Sequence, residues 1–265
     1  MATPFVSIVT VTFNAGAHLA QTIESVLGQT HRPIEYVIVD GGSHDNTLDI
    51  VRQYEGRLSQ WISAPDRGIY DAMNKSLGLV TGDWVNFMNA GDTFAHPESV
   101  AQAMANVPEN AEVVYGSYEI AYESFKKRKT APNSLTDFHR GMIINHQSTF
   151  VRTATARAHP FDPRYPLAAD FAQLFKLYCA GAVFHRADNV VAHFADGGVS
   201  AARKVEYLRQ CLAVVQELRP DLWGTTAHYQ KAIRQTERIA QLRATLPNWL
   251  FEGLMQLKSG LWGTQ

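Results

Sequence analysis

The chain opens by alternating two hydrophobic periods, and that alternation limits the folds open to it. FVSIVTVTFN (5–14) is rich in β-branched and aromatic residues and ends at a polar turn, as a strand does. AHLAQTIESVLGQ (17–29) then repeats apolar residues at helical spacing, at Leu19, Ile23, Val26 and Leu27. Ile34 to Val39 is a near-continuous apolar run, the kind buried on both faces of a parallel sheet, and Asp40, Gly41, Gly42 and Ser43 stop it. Asp45 or Asn46 caps the next helix, near 46–55. LSQWISA (58–64), DRGIYDAMNKSLGLV (66–80) and GDWVNFMN (82–89) continue as strand, helix and strand, with Ile69, Met73, Leu77 and Val80 on one helical face. Pro97 opens a further helix, and AEVVYGSYEI (111–120) is the following strand. Such alternation predicts an α/β fold, a doubly wound, mostly parallel sheet flanked by helices.

Sheets of this kind bind ligands outside the carboxyl ends of their strands. The polar clusters Thr12/Asn14, Asp40/Ser43 and Asn89/Asp92 all fall at such ends. Ordinary turn chemistry is the competing explanation, because strand ends carry polar residues anyway. The second half is less regular. Residues 118–130 read as a hairpin whose Lys126-Lys127-Arg128-Lys129 run is a solvated face. HQSTFVR (146–152) reads as a strand, LAADFAQLFKLYCAG (167–181) as a helix ended by Gly181, and VFHRADNVVAHF (183–194) as a pair of strands. Residues 201–219 and 225–245 read as helices.

Composition adds limits. A chain of 265 residues, 46% hydrophobic, is long enough for one large domain, or a domain with an appendage. A net charge of -1 implies no nucleic-acid partner. Cys179 and Cys211 sit in apolar helical contexts without metal-ligand spacing, which suits free thiols in a reducing cytoplasm. The start, MATPFVSIVTV, lacks the pattern of a signal peptide. No GxGxxG follows the first strand, and GxxxxGK[ST], GxSxG, HExxH and CxxC are absent, which disfavours dehydrogenase, P-loop and serine-hydrolase chemistry.

The long pattern SIVTVTFNAGAHLAQTIESVLGQTHRPIEYVIVDGGSHDNT, followed by DRGIYDAMNKSLGLVTGDWVNFMNAGD, resembles the inverting family-2 glycosyltransferases, which have the GT-A fold. The resemblance is strong over the first 120 residues and weaker through HQSTF, AADF and GGVS to about residue 200. It implies a donor-binding half (1–120), an acceptor half (121–200) and a C-terminal helical extension (201–265). The variant is most similar to bacterial transferases that build exopolysaccharide or glycolipid sugars, including the colanic-acid type.

That resemblance implies a nucleotide-diphosphate sugar donor and a saccharide or lipid-linked acceptor. Val11, Thr12, Phe13 and Asn14 match the segment that cradles base and ribose, and Asp40 the acid that accepts a hydrogen bond from the base. Gly41 and Gly42 would let the backbone approach the nucleotide closely, and Ser43 belongs to the same binding turn. Asp66 and Arg67 fall where relatives contact nucleotide and diphosphate, and Arg67 also suits a structural ion pair. Asn74 suits a loop anchor as well as a ligand contact. Many relatives carry Asp-x-Asp where this chain has Asn89, Ala90 and Gly91, so Asp92 is the surviving carboxylate. Asp92 is the expected ligand of Mg²⁺ or Mn²⁺, with the diphosphate completing the shell; His193 matches a late metal-ligating histidine, and a structural histidine near a strand end is the alternative.

Direct displacement at an anomeric carbon needs the acceptor hydroxyl deprotonated as it attacks. Asp170, opening a helix, matches the family's base; a first-turn Asp that complements the helix dipole is the structural alternative. His146 and Gln147 match a pair that lies beside donor sugar or acceptor. Gly197, Gly198 and Ser200 match a late glycine motif. The apolar tail 247–265, with Trp249 and Trp262, suits packing on the domain or on a partner subunit, and peripheral membrane contact as well. Two rival functions stay open. A sugar nucleotidyltransferase would share the sheet, but TFNAGAHLA lacks its basic loop. A non-catalytic nucleotide-sugar binder or partner subunit would account for the reduced acidic motif.

Overall fold

The computed structural model describes residues 3–122, 126–195 and 197–247. In chain order its elements are β1 (Val6–Thr12), α1 (Leu19–Leu27), β2 (Ile34–Asp40), α2 (Thr47–Tyr54), β3 (Gln60–Ser63), α3 (Ile69–Ser76), β4 (Trp84–Phe87), β5 (Thr93–Phe94) and α4 (Ser99–Ala103). They continue with β6 (Val113–Ala121), β7 (Lys126–Lys129), β8 (Thr149–Arg152), α5 (Thr153–Ala158), α6 (Ala169–Cys179) and β9 (Phe184–Ala195). Three helices follow: α7 (Val199–Ala202), α8 (Lys204–Leu218) and α9 (Trp223–Thr245).

One sheet runs in the order β3-β2-β1-β4-β8-β6-β9-β5, with β7 paired to β6. β1 pairs in parallel with β2 and β4, and β2 with β3. β8 is antiparallel to both β4 and β6, which restores the common direction in β6 and in its parallel neighbour β9. The carboxyl ends of β1, β2, β3, β4, β6 and β9 therefore share one rim, and the polar turns of the sequence gather there.

Alternation along the strands builds two cores. Val9, Val11, Val37, Val39, Val85 and Phe87 point to the face covered by α3, α6 and α8. Val6, Ile8, Tyr36, Ile38 and Trp84 point to the face covered by α1, α2 and α4. Cys211, Val214 and Val215 of α8 and Tyr229 of α9 belong to the first of these cores, so both helices pack against the sheet domain's own interior. Cys211 is buried and Cys179 half-buried, both as free thiols.

Several expectations need correction. The expected pair of strands over 183–194 is one long strand, β9 (Phe184–Ala195), because β6 lies alongside nearly its whole length. His146–Ser148 is a short 3₁₀ turn leading into β8. Ile69 is 43% exposed: it is the first residue of α3, beyond the packed turns that bury Met73 and Leu77. The apolar tail lies outside the described residues from residue 248 onward. No helix among the described residues is long and apolar enough to cross a membrane.

Candidate active site

The turn after β4 is fixed from two sides. Val9 and Val11 carbonyls accept the amides of Met88 (2.9 Å) and Ala90 (3.2 Å), which carries the β1 pairing past the end of the strand. The Asp92 amide then donates to the Asn89 carbonyl at 2.9 Å. Thr22, fully buried on α1, accepts from the Gly91 amide (2.9 Å) and donates to the Asp92 carbonyl (2.8 Å). Gly91 has φ +99°, a left-handed value that glycine takes at no steric cost.

The second half brings its chemistry to this turn. Asp170 is in the first turn of α6. Its Oδ1 accepts from the Tyr70 hydroxyl (2.9 Å) and the Phe171 amide (2.8 Å). Its Oδ2 lies 3.0 Å from His146 Nδ1, and His146 Nε2 lies 3.0 Å from Asn89 Nδ2. An amide donating to Nε2 leaves the imidazole proton on Nδ1, where it is donated to Asp170. The next residue, Gln147, donates from Nε2 to Asp92 Oδ2 at 2.9 Å. Buried Asn86 of β4 holds this turn by donating to the Gln147 (3.0 Å) and Thr149 (2.9 Å) carbonyls.

The two carboxylates are tuned in opposite directions. Burial pushes Asp170 up, but His146, the Phe171 amide and the Tyr70 hydroxyl together hold it below the ordinary carboxylate range. Burial pushes Asp92 up to about 6, against the smaller opposing effects of Gln147 and His146. Asp170 is thus ionised at neutral pH, while Asp92 titrates just below it. Thr12 Oγ1, Asn89 Oδ1 and Gln147 Oε1 are buried at this rim without a hydrogen-bond partner. Orphaned oxygens of this kind are what a polar ligand would satisfy.

Asp40 sits at the same rim, fully buried, with its carboxylate turned into its own loop. It accepts from the Gly42 and Ser43 amides (3.0 Å each) and from the hydroxyls of Ser43 (2.5 Å) and Ser63 (2.6 Å). Asn14, at φ +48°, ties this loop to β1: its amide donates to Ser43 Oγ at 2.8 Å and its Oδ1 accepts from the His44 amide at 2.9 Å. A side chain at Gly41 would collide with the Asp66 carboxylate, so Asp66 occupies the space that glycine leaves. Phe13 is 58% exposed at the mouth, whereas the Val11 side chain is core. Arg67 follows the ion-pair reading, 2.9 Å from Asp71 and otherwise in solvent. Asn74 is a loop anchor, bonded to both the amide (2.9 Å) and the carbonyl (2.8 Å) of Phe161. Ser200 donates to the Leu167 carbonyl (3.3 Å), bracing the approach to α6.

His193 departs from the metal-ligand expectation. It pairs in register with Thr93, next to Asp92, but its Nε2 is 3.0 Å from Glu119 and its Nδ1 is 3.5 Å from Lys126 Nζ. Parallel β6–β9 pairing sets Glu119 directly beside it. Among the described residues no group of three or more His, Cys, Asp or Glu side chains could hold a metal. What the 89–92 turn does offer is the Asp92 carboxylate, with the side-chain carbonyl oxygens of Asn89 and Gln147 nearby in the chain of contacts. All are hard oxygen donors suited to Mg²⁺ or Mn²⁺, provided a diphosphate supplies the remainder.

Solved structures share this fold, the GT-A fold. The family model described as "Glycosyl transferase family 2" matches residues 7–163, and the chain belongs to that family. A Mycobacterium bovis protein named "PGL/p-HBAD biosynthesis glycosyltransferase" is 33% identical over 177 residues, covering 64% of this chain and 68% of that protein. An uncharacterized Mycobacterium tuberculosis glycosyltransferase is 32% identical over 173 residues, covering 63% and 66%. Among solved structures, Pyrobaculum calidifontis mannosyltransferase PcManGT with GDP-Man and Mn²⁺ has TM-score 0.65 at 16% identity, covering 98% of this chain and 81% of that one. Staphylococcus aureus TarS (1–349) with UDP has TM-score 0.63 at 19% identity, covering 81% and 66%. The protein is therefore a glycosyltransferase.

Proposed function

We propose that this enzyme transfers a hexosyl unit, with inversion, from a nucleotide-diphosphate sugar to a saccharide or glycolipid acceptor in bacterial surface polysaccharide or glycolipid synthesis. One observation carries this reading. An unbroken chain of contacts runs from the 89–92 turn through His146 to Asp170, with Gln147 on Asp92 beside it. Leaving-group end and base end of a displacement are thereby held in one piece. The mycobacterial relative's name supports a glycolipid acceptor, and the nucleotides bound to the structural neighbours support the donor class.

In this reading residues 1–120 receive the donor. Thr12, Phe13 and Asn14 line its nucleoside end, with Asp66 beside Gly41. Asp40 acts by shaping the Gly42–Ser43 loop, and reaches the base only if Ser43 or Ser63 gives up its bond. Asp92 would hold the divalent ion that neutralises the departing diphosphate. The acceptor oxygen bonds to the anomeric carbon as the carbon–oxygen bond to the diphosphate breaks, and its proton passes to Asp170. His146 keeps Asp170 ionised and aimed, and Tyr70 fixes its other oxygen.

A panel of nucleotide sugars, assayed for thermal stabilisation and for slow donor hydrolysis with Mn²⁺ and after EDTA, tests the proposal. The expected result is stabilisation by one nucleotide class and hydrolysis that EDTA abolishes. Stabilisation without any hydrolysis or transfer would favour the non-catalytic binder, and full activity in EDTA would remove the metal from Asp92. His146→Ala tests the positioning role separately. Without the imidazole, burial dominates at Asp170, so the acid limb of the pH–rate profile should move upward and kcat should fall about 10- to 100-fold at neutral pH. An unshifted acid limb would exclude that role.

A further inference from the structure

β7 is four consecutive cations, Lys126, Lys127, Arg128 and Lys129, every one exposed. It pairs with the carboxyl end of β6, at the rim that carries Asp92. Its two faces differ. On one, Arg128 opposes Glu119, which opposes His193, and Lys126 reaches that histidine, so the charges are partly balanced. On the other, Lys127 opposes Ile120 and Lys129 opposes Tyr118, while Phe194 lies beside Ile120 on the next strand. Tyr118 and Phe194 rings are 5.5 Å apart, and all three apolar residues are half-buried. Among the described residues no ion pair involves Lys127 or Lys129.

Two lysines in no ion pair among the described residues, over a half-exposed Tyr-Ile-Phe patch, match a bilayer interface, where ammonium groups meet lipid phosphates and aromatic rings sit at headgroup depth. A nucleic acid fits less well, because the cationic strip is one short strand on a chain of net charge -1. We propose that this face of β7, with Tyr118, Ile120 and Phe194, docks the protein onto an anionic phospholipid surface. Docking there would turn the active-site rim toward the membrane. The inference stands apart from the transferase assignment, since it concerns lipid contact and needs no turnover.

Co-sedimentation of the full chain with phosphatidylcholine vesicles, with and without about one-third phosphatidylglycerol, tests it. The protein should pellet only with the anionic vesicles and be released as salt rises. Each cation near such a surface is worth about fivefold in partitioning, so Lys127→Gln should cost about fivefold and the double variant with Lys129→Gln about 30-fold. Removing two exposed cations elsewhere, Lys231→Gln with Arg234→Gln on α9, should leave partitioning unchanged. Equal binding to neutral vesicles, or binding indifferent to Lys127 and Lys129, overturns the proposal. So does displacement by inorganic phosphate at matched ionic strength, which would mark a free-phosphate site. Tighter binding to duplex DNA than to vesicles overturns it too. Melting temperatures matching the parent confirm that the variants are folded.

Discussion

Asp170→Asn should reduce sugar transfer by about 10³-fold or more, with nucleotide-sugar affinity nearly unchanged. The asparagine is isosteric and its surroundings can absorb it. Its oxygen still accepts from Tyr70 and Phe171, the two donors that now share Oδ1. Its amide would meet His146 Nδ1, now a donor, so the imidazole must move its proton to Nε2. Asn89 can answer by turning its amide, because its Oδ1 has no partner to lose. The network survives with polarity reversed, and what disappears is the basic lone pair. Single-turnover transfer and donor titration separate the two effects. Substantial remaining turnover would refute Asp170 as the base, and a large loss of donor affinity would make it a binding residue instead.

Asp92→Asn should produce opposite changes in activity and stability: transfer falls by about 10²-fold or more while the metal-free protein becomes harder to unfold at neutral pH. The sign follows from linkage. Burial raises the Asp92 pKa in the folded chain to about 6. The folded state therefore binds this proton more tightly than the unfolded chain does. The stability so conferred is complete below the ordinary carboxylate pKa and is lost as pH rises through about 6. An amide avoids that loss and keeps an oxygen for Gln147 Nε2. The gain at pH 8 is at most about 3 kcal/mol, less to the extent that water reaches the carboxyl, and should vanish near pH 3. Thermal melts in EDTA at the two pH values measure it. Equal or lower stability of the variant at pH 8 would show that the carboxylate is not strained there.

The sheet was readable because its signal is local. A strand buried on both faces announces itself within seven residues, as Ile34–Asp40 does. The helix that Asp170 opens was readable for the same reason, from its apolar face; the part of Asp170 as base came from the resemblance and is a proposal. The residues that hold the site together were not. Thr22 looks like any polar residue on an amphipathic helix, yet its hydroxyl reaches a turn some 70 positions later. Tyr70 fits the apolar stripe of α3, and its contact with Asp170 spans 100 positions. Asn86 sits mid-strand, where no local pattern shows that its amide props up the 147–149 backbone. His193 left two readings open from its place in the chain, a metal ligand and a structural histidine, and strand pairing sets Glu119 beside it. Chemistry could be read where one residue is sufficient, and was hidden where two distant segments must meet.

His146 and Gln147 are adjacent residues on a single short turn, one touching Asp170 and the other Asp92. Any shift of that turn when a sugar nucleotide arrives must therefore be felt at the proton acceptor in the same movement. A donor that displaced the turn would move the partners of both carboxylates together. Proton acceptor and 89–92 turn thus share one mechanical link, the peptide bond between two neighbours.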